Sequence, residues 1–200
     1  MTTTPVSTTT MADLTDSQLA AVARLHHAVR ERAAAAVLVG PAGAGKSTVL
    51  AHLGRLVDGQ PHRVIDDAHL LSPQAVEELA RELAASRGPT VILAGQGRLL
   101  SLVGRDTRLE SKICLRAVVG AMGPRESRTL AAGILGEGGE DEPRVAPKAF
   151  VTIHEIACGM PRGVVALARL ARILLDEEPR IRLDSWHVES LHTRLALTAA

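Results

Sequence analysis

AAAAVLVGPAGAGKSTVL, residues 33–50, reads as a strand, a tight loop and the start of a helix in one unbroken stretch. The apolar run before Gly40 is short and Gly-bounded, which predicts a buried strand over Ala35–Val39. GPAGAGKS at 40–47 fits the spacing Gly-x-x-x-x-Gly-Lys-Ser/Thr. That spacing has a mechanical reason. Small residues let successive backbone N–H groups curl around phosphate oxygens, and the positive end of the following helix faces them. Lys46 is placed to reach the β and γ phosphates, and the Ser47 hydroxyl to ligate Mg²⁺. The cradle expected for a nucleoside triphosphate, ATP with Mg²⁺, is therefore Gly40, Pro41, Ala42, Gly43, Ala44, Gly45, Lys46, Ser47 and Thr48.

Working outward, Val49, Leu50, Leu53 and Val57 recur at helical spacing after the loop, and Asp58-Gly59-Gln60-Pro61 ends that helix. A strand over His62–Ile65 runs into Asp66-Asp67. Two carboxylates at the end of an apolar strand behind a phosphate loop can divide the work: Asp66 on the metal, Asp67 orienting a water. Ser72-Pro73 reads as a helix N-cap with proline at the first helical position, and Val76, Leu79, Ala80 and Leu83 supply the apolar face. Gly88-Pro89 turns into a third strand, Thr90–Ala94. A short helix follows at Arg98–Val103, then a fourth strand over Lys112–Val119. Upstream of the loop, Thr15-Asp16-Ser17-Gln18 has capping-box form, followed by Leu19, Val22, Leu25 or His26, and Val29 on one helical face. Strands alternating with helices predict a parallel sheet of about four strands covered on both faces.

Beyond residue 120 the pattern is helical throughout: Pro124–Leu135, Pro147–Ala157, Pro161–Leu175, and a last helix capped by Asp184. GEGGEDEP at 136–143 interrupts it as an acidic, glycine-rich loop. The expected organisation is a disordered tail at 1–14, an α/β core at 15–120 and an all-helical lid at 121–200. MTTTPVSTTT lacks the basic-then-apolar form of a signal peptide, and Met11 is a second candidate start.

Composition narrows the function classes. The 46% apolar content belongs to a chain with a core, and the net charge of +1 creates no global field toward nucleic acid or anionic membrane. Phe150 and Trp186 are the only aromatics, so a base-stacking platform for single strands is excluded. Cys114 and Cys158 make no disulfide framework and are expected to be buried small residues. The eight histidines show no metal spacing, and His154 with Cys158 one turn later reads as packing. No run reaches the 18 apolar residues of a membrane span, and a cytoplasmic location is expected.

Four strings in order, GPAGAGKS, IDDAHLL, LAGQGRLL and GMPRGVVALA, resemble the AAA+ ATPases, within them the branch of the general-secretion ATPases and transposition helpers. The resemblance spans most of residues 15–197. It implies that Gln96 is a catalytic sensor near the γ-phosphate, beside Lys46 and Asp67, and that Arg162 reaches the nucleotide from the lid. It also implies a homo-oligomer acting on a protein or DNA partner. Three features depart from the family pattern. Asp67 stands where relatives carry Glu, one methylene longer. Only 18 residues separate Ser47 from Asp66, which removes one strand and helix. In SKICLR, 111–116, Lys112 occupies the expected place of an intersubunit arginine finger, with Arg105, Arg108 and Arg116 nearby.

Two other readings use the same loop. One is an ATP-binding adaptor that scarcely hydrolyses, favoured by Asp67 and the missing finger. The other is a small-molecule kinase, for which no acceptor site or arginine-rich lid is visible. His69 follows the carboxylates, where it could approach the nucleotide, but reads first as an ordinary surface or core histidine.

Overall fold

The computed structural model describes residues 14–85, 88–136 and 144–198. The expected N-terminal tail, save Leu14, and the acidic stretch Glu137–Glu142 lie outside the described residues. Two compact units are present: residues 1–41 with 46–119, and residues 42–45 with 120–200.

The first unit is built on a parallel sheet of β1 (Ala35–Val39), β2 (His62–Ile65), β3 (Thr90–Gly95) and β4 (Ile113–Val118), in the order β2-β3-β1-β4. Every residue of β1 and β3 is buried, as befits central strands of a sheet covered on both faces. The edge strands β2 and β4 are only partly covered. On one face, Val37, Val91 and Leu93 pack with Val76, Leu79 and Leu83 of α3 (Pro73–Ala85), Leu99 and Val103 of α4 (Arg98–Val103), and Leu109 of α5 (Thr107–Glu110). Helix α1 (Asp16–Arg30) packs against β1, β3, β4 and α2 (Lys46–Leu56). The strand register sets the carboxyl edge of the sheet: Val39 pairs with Gly95, and Ile65 with Leu93.

Local chemistry explains the element ends. Thr15 caps α1 through a reciprocal box, its hydroxyl accepting from the Gln18 N–H at 3.2 Å while the Gln18 side chain accepts from the Thr15 N–H at 3.1 Å. That box changes one expectation. Gln18 is drawn into the interior, and Leu19 turns outward at 40% exposure. Leu25, not His26, fills the core position. Helix α5, absent from the sequence reading, is started by Asp106, whose carboxylate accepts from the N–H groups of Arg108 and Leu109.

The second unit holds α6 (Pro124–Leu135), α7 (Pro147–Ile156), α8 (Pro161–Glu177) and α9 (Ser185–Thr198). Proline opens three of them, where its missing N–H costs nothing. Leu135, Phe150, Ile153, Val164, Leu167, Leu175, Leu183 and Val188 form its core. Arg172 closes the end of α6, its guanidinium donating to the Leu135 carbonyl at 2.7 Å. Ser127 and His154 meet at 2.8 Å, so that histidine is tied into helix packing.

The cysteine expectation fails. Cys114 and Cys158 are both exposed. Cys114 takes an outward position on the edge strand β4, and Cys158 follows the last turn of α7 in the left-handed conformation, φ 49°. Among the described residues no helix is long and apolar enough to cross a membrane, and no cluster of three or more His, Cys, Asp or Glu is placed to hold a metal.

Candidate functional site

The 40–47 loop leaves the carboxyl end of the central strand β1. The junction is tied on both sides: the Gly40 N–H donates to the Gly95 carbonyl at 3.2 Å, and the preceding Val39 carbonyl accepts from the Val119 N–H at 2.8 Å. A side chain at Gly40 has no room, since a Cβ would stand 2.5 Å from the Val119 carbonyl oxygen. Gly43 and Gly45 adopt φ of 80° and 90°, a region closed to other residues without strain. These two glycines turn the chain tightly between β1 and α2. Lys46 opens α2, and its ammonium donates to the carbonyls of Gly40 at 2.9 Å and Pro41 at 3.1 Å, which holds the charge across the loop.

The carboxylates follow β2. Asp66 and Asp67 are exposed, and Asp66 is oriented by the Asp67 N–H, which donates to its Oδ1 at 2.9 Å. Asp67 itself sits in the left-handed region, φ 49° and ψ 31°, a conformation Asp tolerates better than most residues. Gln96 follows β3 directly. Within this unit the register brings Gly40, Asp66 and Gln96 to one carboxyl edge, where ligands of open α/β sheets bind. The donor set suits the expected ligand: an ammonium and loop N–H groups for phosphate, a hydroxyl and a carboxylate for a hard cation. Mg²⁺ takes one or two protein oxygens and completes its shell with phosphate and water. The lack of a larger acidic cluster is therefore no obstacle.

In the second unit, loop residues Ala42–Gly45 cluster with the helices. The Arg162 N–H, one of the orphan donors at the start of α8, donates to the Gly43 carbonyl at 3.2 Å. A Cβ on Gly43 would lie 3.2 Å from the Arg162 Cβ.

Lys112 precedes β4 at the amino edge of the sheet, with the loop at the carboxyl edge. Six strand residues, roughly 20 Å of chain, lie between those edges. Arg108 is paired with Asp106 at 3.2 Å and Arg116 with Glu110 at 3.1 Å. His69, which the sequence offers first as a surface or core histidine, lies beside the carboxylates. His69 is buried, with Nδ1 3.8 Å from Asp67 Oδ1. Its place two residues after Asp67 was the available signal, but spacing does not say which way a ring turns.

Solved structures share this architecture. The Thermotoga maritima RuvB Holliday junction branch migration motor matches with a TM-score of 0.59 at 16% identity, over 90% of this chain and 68% of that one. The Aeropyrum pernix Orc1 protein in complex with DNA matches with a TM-score of 0.62 at 15% identity, over 92% and 66% of the two chains. The chain shares with them the α/β P-loop NTPase fold, here a four-stranded parallel sheet between helices followed by a helical C-terminal region. No protein-family model and no curated protein matches the sequence.

Proposed function

We propose that this protein binds Mg-ATP in the Gly40–Thr48 loop and is an ATPase switch acting on a protein or DNA partner. The observation that carries the reading is the shared edge: the phosphate-loop sequence leaves the central strand where Asp66 and Gln96 also end their strands. Lys46 and the loop N–H groups bind the phosphates, Ser47 and Asp66 hold the cation, Asp67 orients the attacking water, and Gln96 and Arg162 sense the γ-phosphate. Bound Mg²⁺ neutralises charge developing on the phosphates. Residues 121–200 act as the lid. Because Lys112 lies at the opposite sheet edge from the loop of its own chain, a role for it at a nucleotide requires a second copy, which agrees with a homo-oligomer.

The RuvB match is a branch migration motor and the Orc1 match was solved with DNA, which favours DNA over protein as the partner. The four ordered sequence strings resemble the secretion and transposition branch, which keeps a protein partner in the proposal. A second reading, a hydrolysis-poor adaptor, is favoured by the short Asp67 and by Arg108 and Arg116 being held in ion pairs.

Steady-state phosphate release and ATP binding of wild type, Lys46→Ala and Asp67→Asn decide between them. The switch reading expects turnover abolished in both variants, with binding lost only in Lys46→Ala. Binding without turnover in the wild type, with or without duplex DNA, selects the adaptor. No binding at all sinks both.

A further inference from the structure

The turn after β2 contains a group that the nucleotide reading leaves unused. Ala68–Leu70 is a single 3₁₀ turn closed by the Leu70 N–H donating to the Asp67 carbonyl at 2.9 Å. It carries His69 inward to 9% exposure, and its Nδ1 is sealed from water with no hydrogen-bond partner. Asp67 Oδ1 faces that nitrogen at 3.8 Å, on a side chain 67% exposed. The end of β3 closes the other side: a Cβ on Gly95 would stand 3.2 Å from His69 Nδ1 and 3.1 Å from its backbone nitrogen. The ring is therefore wedged between Asp67 and the strand end that precedes Gln96.

A buried polar atom without a partner is costly, and a carboxylate is the strongest acceptor within reach. About 1 Å separates the 3.8 Å approach from a hydrogen bond of about 2.8 Å. The Asp67 side chain is 67% exposed, so a rotation about its own bonds is the short route to closing that gap.

We infer that His69 is the positioning residue for Asp67: Nδ1–H donates to one carboxylate oxygen and leaves the other aimed at the attacking water. The inference rests on Asp67 being the water-orienting carboxylate proposed above. It explains how an aspartate serves where a longer side chain is expected. One anchored oxygen fixes the direction of the other, and misplacement by about 1 Å is worth roughly a hundredfold in rate.

The test compares the full chain with His69→Ala, His69→Asn and His69→Gln, because an asparagine amide nitrogen stands near Nδ1 and a glutamine nitrogen near Nε2. The expected result is kcat for Mg-ATP lowered by roughly a hundredfold in H69A and H69Q, with KM and ATP affinity unchanged, and recovery in H69N. Ring ¹⁵N spectra of His69 should also shift in Asp67→Asn. Wild-type kcat in H69A, H69N no better than H69Q, or an unchanged ring spectrum overturns the inference alone. A wild type without turnover overturns the ATPase reading as well.

Discussion

The backbone N–H of Arg162 donates to the carbonyl of Gly43, 119 positions earlier in the chain, at 3.2 Å. The first turn of α8 is thereby satisfied by the loop that the sequence marks for phosphate. This leaves the guanidinium uncommitted to that contact.

Arg162→Ala separates the two parts of that residue. The N–H and its bond to Gly43 remain, and the guanidinium is lost. A hydrogen bond to a charged group is worth about 1.5–3 kcal/mol, so ATP affinity should fall roughly 10–100-fold. The melting temperature without nucleotide should barely move, as for other exposed substitutions. Titration calorimetry with paired thermal melts checks both. Unchanged affinity restricts Arg162 to its backbone contact.

Glycine positions should respond with opposite signs. Gly40→Ala pushes a methyl to 2.5 Å from the Val119 carbonyl oxygen, and overpacking of this kind costs about 1–3 kcal/mol. Gly54 lies inside α2 with nothing within 4 Å of a built Cβ. Gly54→Ala should therefore stabilise by about 0.5–1 kcal/mol. Thermal melts should move in opposite directions, by about 2–4 °C per kcal/mol for a chain this size.

Asp67→Glu tests whether reach limits turnover. The longer side chain should lower kcat, by up to roughly a hundredfold, because it displaces by about 1 Å the carboxylate that the His69 contact is inferred to fix. It should also cost about 1–2 kcal/mol of stability, because Asp67 sits at φ 49° and Glu lacks the local hydrogen bonding that eases Asp into that region. A variant both slower and less stable assigns the shorter side chain to the working geometry, as the His69 contact requires.

The start of α9 should be acid-sensitive. Asp184 accepts from the His187 N–H at 3.2 Å, and that bond, with the His187 side chain beside it, holds its carboxyl below the usual value. A carboxylate depressed in the folded state stabilises it above the unfolded value and ceases to do so as pH falls through the folded one. Asp184→Ala should therefore be less stable than wild type at pH 7, and the difference should close below about pH 4. Urea melts at pH 7, 5 and 3 measure the gap. A constant difference assigns the effect to packing.

Much of the architecture is written in short-range patterns. Thr15 and Gln18 three residues on, Pro73 after Ser72, and the apolar run before Gly40 each decide their own segment through bonds and clashes spanning a few residues. The observed strands lie within a residue or two of the spans those patterns predict. The phosphate loop is legible for the same reason, since two positive-φ glycines and a lysine at fixed spacing are a local requirement.

Tertiary packing decided the rest. The order β2-β3-β1-β4 brings Asp66 and Gln96 to one edge and leaves Lys112 at the other, and no string of residues encodes which strand lies beside which. Cys114 is exposed because its position in β4 turns it to a face of the strand that packing leaves open. The inward turn of His69 depends on Gly95, 26 positions away, leaving space for its ring. The sequence by itself determined the loop and the elements other than α5 (Thr107–Glu110), because those follow from neighbours in the chain. The approach of His69 to Asp67 and of Arg162 to Gly43 was decided only where nonlocal packing brought distant backbone together.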